Sequence, residues 1–321
     1  MKSNKKIAVL TSGGDAPGMN NAIRAVVLSG IKNNFEIYGV KDGYLGLYEN
    51  KIDILNVDKF DPRIVNTGGT CLGTSRFKKF ATNLIVRQKC AENLKDKNID
   101  KLIIIGGNGS YHGAMKLEEL GIKCIGIPAT IDNDIQGTDF TIGFSTAVNN
   151  ILNTIGKLRD TSLSHCRCSI LEVMGRNKGS LALYSGIAAG VDLIVTQENL
   201  IEKKIILDKV KKMKEENKRY VIIVITEHIL EVNFLAKEIE NYSGFETRGQ
   251  ILGHSQRGGS PTLEDCILAT RMGVYAVELL KKDIHNCGVS LQKQEITHLN
   301  FENIFNSLFV KDKILDILEK L

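Results

Sequence analysis

The chain has 321 residues, a net charge of +5, ordinary apolar content, 30 glycines and only 4 prolines. That length suits two domains or one large α/β domain, and the glycines suit a globular protein with many tight turns. The net charge of +5 is mild. There is no basic arm and no Lys/Arg run interleaved with aromatics, so nucleic acid is not expected as a partner.

Seven cysteines, an odd number without Cys-x-x-Cys, point to a reduced chain with small buried thiols; Cys124, Cys168 and Cys266 sit in apolar runs. Cys166 and Cys168 lie two apart, and no other Cys/His pair has the spacing of a zinc site. Lys78-Lys79 and Lys211-Lys212-Met213-Lys214 read as solvated faces. The polar start runs directly into Ile7–Leu10 without a signal-peptide core, and no apolar run approaches the ~20 residues of a membrane span. A cytoplasmic protein without a membrane partner is expected.

The first apolar run, Ile7 to Leu10, ends in Thr11-Ser12-Gly13-Gly14-Asp15-Ala16-Pro17-Gly18-Met19-Asn20. Ile23, Val26, Val27 and Ile31 then recur at helical spacing. Strand, glycine loop, helix is the arrangement that turns backbone N–H groups toward an anion, usually phosphate; a purely structural tight turn is the competing reading. The loop is not a Walker loop, because Gly-x-x-x-x-Gly-Lys-Ser/Thr is absent.

A second strand is expected at Phe35–Val40, followed by a turn-rich Asp42-Gly43-Tyr44-Leu45-Gly46-Leu47. Thr67-Gly68-Gly69-Thr70-Cys71-Leu72-Gly73-Thr74-Ser75-Arg76-Phe77 suggests another backbone cradle, with the planar fork of Arg76 as a phosphate partner. Residues 88 to 98 read as a helix and Leu102–Ile105 as an apolar strand. That strand ends in Gly107-Asn108-Gly109-Ser110 and a further helix; the glycine spacing is one residue too long for a dinucleotide fingerprint. A dehydrogenase therefore fits poorly.

The strand at Lys123–Ile127 breaks at Pro128 and delivers Thr130, Asp132, Asn133 and Asp134 within five residues. Two carboxylates so close repel unless a cation or proton separates them or they face apart; the bland reading is a polar turn. A helix over Val148–Leu158 ends at Arg159-Asp160, and Ser169–Val173 is a strand running into Met174-Gly175-Arg176. Val191–Thr196 and Val221–Ile225 are strands, the latter ending in Thr226-Glu227-His228. Helices are expected at Lys203–Lys218, 231–240 and Leu263–Leu280, with Gly253-His254-Ser255-Gln256-Arg257-Gly258-Gly259-Ser260-Pro261 before the last of these. The tail from 301 to 321 reads as one or two short helices.

Short apolar strands alternate with helices, which is an α/β chain with parallel sheets. Ligands bind past the carboxyl ends of such strands. Those ends are expected to carry three glycine cradles, Arg76, Arg167, Arg176, Arg248, Arg257, His254, Glu227 and the Asp132/Asp134 pair. Phosphoryl transfer from a nucleotide to a phosphorylated substrate is the natural chemistry, working by positioning and charge neutralisation.

Along essentially its whole length the chain resembles bacterial ATP-dependent 6-phosphofructokinases. The residues that carry the resemblance are Thr11–Asn20, Asp42–Leu47, Pro128–Asp134, Met174-Gly175-Arg176, Gly253-His254 and Gln256–Pro261. It implies an α/β fold of two Rossmann-like domains with mainly parallel sheets and the active site in the cleft between them. The large nucleotide-binding domain would be 1–140 plus 255–303; the smaller sugar-phosphate-binding domain would be 141–254 plus 304–321. It implies transfer of phosphate from ATP, with Mg2+, to the 1-hydroxyl of fructose 6-phosphate, the committed step of glycolysis.

In that resemblance Asp132 would take the hydroxyl proton and Thr130 would contact the transferred phosphate. Gly13 would offer its N–H, and Arg76 and Arg176 would neutralise charge. Gly13, Arg76, Phe77, Gly107, Asn108, Gly109 and Ser110 would bind ATP. Thr130, Asp132, Met174, Gly175, Arg176, Glu227, His254 and Arg257 would bind fructose 6-phosphate, the last two at its phosphate. Arg167 and Arg248 would reach that phosphate from a neighbouring subunit of a homotetramer. Asp134 and Asn108 would hold magnesium. An allosteric site for ADP or phosphoenolpyruvate would use Arg24, Arg159, Asp192 and Lys218.

The chain departs from the family pattern in three respects. Asn108 replaces an aspartate that binds magnesium, and an amide brings no charge to a metal that prefers carboxylates. Ala129 replaces glycine after Pro128; pyrophosphate-dependent relatives carry Lys there and Asp in place of Gly109, so two small residues favour ATP. In the effector site Leu28, Val57 and Glu216 fall where cations are expected, and Asp192 is shorter than glutamate, so weak effector response is expected. Two alternative readings remain: a catalytically weakened regulatory or binding paralogue, and a relative using pyrophosphate or another sugar phosphate.

Overall fold

The computed structural model describes residues 5–56, 62–306, 314–318 and 320. In chain order its elements begin with β1 (Lys5–Ser12), α1 (Met19–Lys32), β2 (Phe35–Val40), α2 (Gly43–Tyr48), β3 (Ile52–Ile54), α3 (Lys78–Thr82) and α4 (Leu84–Lys95). Next come β4 (Lys101–Gly106), α5 (Asn108–Glu118), β5 (Lys123–Pro128), α6 (Phe144–His165), β6 (Cys168–Val173), α7 (Ser180–Ala189) and β7 (Leu193–Val195). They continue with α8 (Lys203–Glu215), β8 (Val221–Thr226), α9 (Val232–Ser243), β9 (Thr247–Ile251) and α10 (Leu263–Lys281). The last are β10 (Cys287–Gln292), β11 (Glu295–Asn300), α11 (Phe301–Asn306) and α12 (Ile314–Leu318). The expected α/β alternation is present.

The chain forms two compact units. The first comprises Met1–Thr130, Asp134–Ser145 and Arg257–Phe309; the second comprises Ile131–Asn133, Thr146–Gln256 and Val310–Leu321.

The first unit is built on a seven-stranded sheet in the order β11-β10-β5-β4-β1-β2-β3. Its central pairs are parallel, and only the edge pairs β2–β3 and β10–β11 are antiparallel. Ile7, Ala8, Val9 and Leu10 of β1 are fully buried, as are Leu102 to Ile105 of β4. Continuous apolar strands of this kind belong to sheets covered on both faces, and each buried Ile or Leu contributes ~2 kcal/mol. α1 lays Ala22, Ala25 and Val26 against α10, where a Cβ on Gly273 would sit 2.8 Å from the Ala22 carbonyl. The glycine is what lets the helices approach. α10 starts at Thr262, whose hydroxyl accepts the Asp265 N–H at 3.4 Å, with Glu264 and Asp265 in the first turn.

The second unit has a four-stranded, all-parallel sheet in the order β7-β8-β6-β9. Val221 to Ile225 of β8 are fully buried at its centre, and Ile206 and Val210 of α8, Leu235 and Ile239 of α9, and Phe245 just past α9 close the core. Glu231 caps α9 by accepting the Phe234 N–H at 2.6 Å, and Gly244 ends it in the left-handed conformation.

Several local expectations are corrected. Asp42–Leu47 is not a turn; Gly43–Tyr48 is the helix α2, disguised by two glycines. The helix expected from residue 88 starts at Leu84, where the Asn83 side chain accepts the Ile85 N–H at 2.9 Å. α6 runs past Arg159-Asp160 to His165. Ile31, which shares the helical spacing of Ile23, Val26 and Val27, is 41% exposed. Cys266 is only half-buried and Cys71 and Cys166 are exposed, although all seven cysteines are free thiols. α7 has no apolar periodicity because most of its residues are buried. The β10–β11 hairpin turns through Lys293 and Gln294, both at positive φ, without the Asn-Gly signal that usually marks such a turn. Within the tail, residues 307–313, 319 and 321 lie outside the described residues.

Candidate active site

In the first unit the register of the parallel strands decides which loops meet. Ser12 of β1 pairs with Gly106 of β4, and Gly106 pairs with Pro128 of β5. Gly13, Gly107 and Ala129 therefore follow side by side along one rim. Gly13 has φ +90°, and its carbonyl accepts the Thr74 hydroxyl at 2.8 Å. Thr11 Oγ1 lies 2.9 Å from Thr70 Oγ1 and donates to the Gly73 carbonyl at 2.7 Å. Asn20 clamps the same segment: its Nδ2 donates to Thr67 Oγ1 at 3.1 Å and its Oδ1 accepts the Cys71 N–H at 2.8 Å. The first two glycine cradles are thus knitted into one surface. Arg76 is exposed on it, while Phe77 packs partly into the core beside Tyr48, with ring centroids 5.6 Å apart.

The third cradle joins them through Ser110, whose hydroxyl donates to the Ser12 carbonyl at 3.0 Å. α5 begins at Asn108, so its free N–H groups and positive dipole end face the rim. A Cβ on Gly109 would meet no atom within 4 Å, which leaves open space beside the helix start. Asn108 Nδ2 donates to the Asp134 carbonyl at 3.2 Å. Thr130 is held by its backbone: its N–H donates to Ile142 at 3.0 Å and its carbonyl accepts the Thr141 hydroxyl at 2.6 Å.

Arg257 also belongs to this unit. Its Nη2 donates to the Asp15 carbonyl at 2.5 Å and its Nε lies 3.4 Å from the Asp15 carboxylate. The guanidinium occupies the space over Gly14 that a Cβ there would take.

In the second unit Val173 of β6 pairs with Thr226 of β8, which sets the Met174-Gly175-Arg176 turn beside Glu227. Glu227 Oε1 accepts the N–H groups of Gly175 at 3.2 Å and Arg176 at 2.9 Å. Arg176 is exposed at φ +54°, a conformation this carboxylate helps to hold. Gln256 is fully buried; its Oε1 accepts the Met174 N–H at 3.1 Å and its Nε2 donates to the Gly253 carbonyl at 2.8 Å. It ties the exposed His254 to the Met174 turn. Burial, with the charge of Glu227 nearby, pushes the Glu172 carboxyl up from its ordinary range. Asp132 and Asn133 are buried, and Lys178 Nζ donates to the Asn133 carbonyl at 2.6 Å.

Arg167 and Arg248 are placed elsewhere. Arg167 precedes β6, and Arg248 on β9 pairs with Ser169 near its start. They lie at the amino end of β6, roughly 17–20 Å of strand from Met174. Both bind Glu246, Arg167 at 2.8 Å and Arg248 at 2.7 Å, and these cations hold the Glu246 carboxyl below the usual carboxylate range. Of the effector residues, Lys218 pairs with Asp192, whose Oδ2 accepts the Ile222 N–H at 2.8 Å, and Arg159 donates to the Ala189 carbonyl. Arg24 is exposed on α1 in the first unit, Leu28 is half-buried there, and Glu216 is paired to Lys212 at 3.8 Å. Val57 lies outside the described residues.

Sequence reasoning passed over Asp15, Gln256 and Lys178. Asp15 and Gln256 stand inside motifs it had singled out, so a polar residue in a glycine loop was the available signal. Nothing local marks Lys178, whose partner is 45 residues away.

The phosphofructokinase family model matches residues 6–280. An ATP-dependent 6-phosphofructokinase of Vibrio vulnificus is 50% identical over 294 residues, covering 92% of this chain and 91% of that protein. One from Vibrio cholerae matches at 50% with the same coverage. Among solved structures, phosphofructokinase from Saccharomyces cerevisiae is 32% identical with a TM-score of 0.85; the match covers 93% of this chain but only 45% of the yeast chain. A pyrophosphate-dependent phosphofructokinase from Marinobacter aquaeolei, 21% identical, shares the fold with a TM-score of 0.83 over 94% of this chain and 84% of its own. Aligned glycine cradles, a buried aspartate past β5 and half-identity to such relatives converge, and the chain belongs to the phosphofructokinase family.

Proposed function

We propose that the chain transfers the γ-phosphoryl group of ATP to the 1-hydroxyl of fructose 6-phosphate. The observation that carries this is the 50% identity, over nearly the full length of both chains, to relatives named ATP-dependent 6-phosphofructokinase. The first unit takes ATP: Gly13, Gly107, Gly109 and Ser110 supply the backbone cradle, with Arg76 and Phe77 beside it. Arg76 and Arg176 neutralise charge on the transferred group, and Thr130 contacts it. Asp132 accepts the hydroxyl proton as general base. The sugar phosphate is held by Met174, Gly175, Glu227, His254 and Arg257.

Arg167 and Arg248, remote from Met174 in their own chain, act on the phosphate in a neighbouring subunit of a homotetramer. That arrangement requires Glu246 to share or release both guanidinium groups when substrate arrives.

Magnesium fits the oxygens of Asp134 and Asn108. The Asn108 amide nitrogen is engaged with the Asp134 carbonyl, which leaves its amide oxygen as the hard donor. Held there, magnesium would supply positive charge to offset that of the phosphates. With one carboxylate instead of two, the site holds it more weakly.

ATP is preferred over pyrophosphate because Gly109 leaves open space beside the start of α5 and Ala129 is likewise small. The effector site is eroded: Lys218 is spent on Asp192 and Glu216 adds an anion. The enzyme works in the cytoplasm; among the described residues no helix is long and apolar enough to cross a membrane. One coupled assay on purified protein, comparing ATP with pyrophosphate at saturating magnesium, tests the reading. Turnover with ATP is expected. Turnover with pyrophosphate alone, or with neither donor, rejects it.

A further inference from the structure

Lys178 lies between the Arg176 turn and α7, in a position no part of the reaction described above uses. Its backbone N–H donates to the Gly175 carbonyl at 2.9 Å, closing the turn that presents Arg176. Its half-buried side chain crosses to the Asn133 carbonyl at 2.6 Å. Lysine is among the residues least often withdrawn from solvent, and its ammonium here makes a short, charge-assisted bond to a main-chain oxygen. Asn133 is buried, at φ +51°, and stands directly between Asp132 and Asp134.

The carbonyl of Asn133 belongs to the planar peptide that joins it to Asp134. Holding that oxygen fixes the plane of the peptide between Asn133 and Asp134, and so anchors the loop immediately after Asp132. We propose that Lys178 is a positioning residue for phosphoryl transfer, anchoring the loop at Asn133, next to Asp132, so that the Asp132 carboxylate keeps its place at the sugar hydroxyl. It also makes the Arg176 turn and the Asp132 loop one rigid piece, since both bonds come from the same residue. A general base must be placed to a fraction of an ångström, so the loss falls on kcat and not on binding. This inference rests on the phosphofructokinase reading given above.

The test uses the full chain with ATP, magnesium and fructose 6-phosphate. Lys178→Met is expected to lower kcat by ~10- to 100-fold, with both KM values within about twofold and Tm nearly unchanged. Lys178→Arg, which keeps a cationic donor, is expected to retain kcat within roughly threefold. Lys178→Ala is expected to regain activity with added propylammonium, in a saturable way, and not with sodium chloride at equal ionic strength. Wild-type kcat in a folded methionine variant overturns the proposal, as does an arginine variant as impaired as the methionine one or an alanine variant that propylammonium leaves inactive. An inactive wild type would instead strike the parent reading, so the two failures are distinguishable.

Discussion

The amide nitrogen of Asn108 donates to the main-chain carbonyl of Asp134 at 3.2 Å, linking the start of α5 to the loop after β5. An aspartate at 108 would have no donor to offer that carbonyl. The same substitution that would strengthen the proposed magnesium site should therefore loosen the loop when magnesium is absent.

Asn108→Asp is accordingly expected to lower the magnesium concentration for half-maximal rate by ~3- to 10-fold, or to raise turnover. Without magnesium its Tm should fall below wild type, and saturating magnesium should restore it. Identical magnesium titrations for the two proteins would refute the assignment of Asn108 to the metal.

Asp132→Asn keeps size and polarity but removes the carboxylate proposed as the base. A kcat loss of ~10²–10⁴ is expected, with both KM values near wild type. Steady-state kinetics read it directly. A loss under tenfold would mean that another group takes the proton.

Arg257 is held mainly through the Asp15 main chain, at 2.5 Å, and more loosely by its carboxylate, at 3.4 Å. Arg257→Leu should raise the KM for fructose 6-phosphate about tenfold or more, the scale of one charge-assisted bond. Asp15→Asn leaves the carbonyl bond in place and should change that KM less than about threefold. Equal effects would show that Asp15, not the substrate phosphate, is the main partner of Arg257 during catalysis.

Glu172 gives a pH signature. Burial, then the charge of Glu227, lifts its carboxyl above the ordinary 4.5. The folded state then holds the proton more tightly than the unfolded chain, so its contribution to stability falls as pH rises from 4.5 through the raised value. Glu172→Gln should raise Tm at neutral pH by about a degree or two, a figure kept small because the group is partly solvated. The difference should vanish below the ordinary carboxylate range. Thermal scans across acid and neutral pH would contradict this if the two proteins stayed parallel.

Lys218 is paired to Asp192, and Glu216 to Lys212, where phosphate-binding cations would be needed. ADP and phosphoenolpyruvate are expected to shift the KM for fructose 6-phosphate by less than the roughly fivefold at which allosteric coupling usually begins. Strong activation or inhibition in a steady-state assay would refute the eroded site.

Much of this protein was written locally. Runs such as Val221–Ile225 announce buried strands because a chain segment that is apolar throughout must be covered on both faces. Glycine loops after strands announce anion cradles for an equally local reason, the need for exposed N–H groups and positive φ at residues such as Gly13. The family motifs then attached chemistry to Asp132, Glu227 and the arginines. What the sequence could not say is which distant groups share a partner. The pairing of Ser12, Gly106 and Pro128 on one rim is a matter of sheet register. The place of Arg167 and Arg248 at the far end of β6 from Met174 is a matter of strand direction. The hold of Lys178 on Asn133 and of Arg257 on Asp15 joins residues 45 and 242 positions apart. Periodicity and composition report only the neighbourhood along the chain; these contacts exist because packing brings separate segments together, and only the folded arrangement decides them.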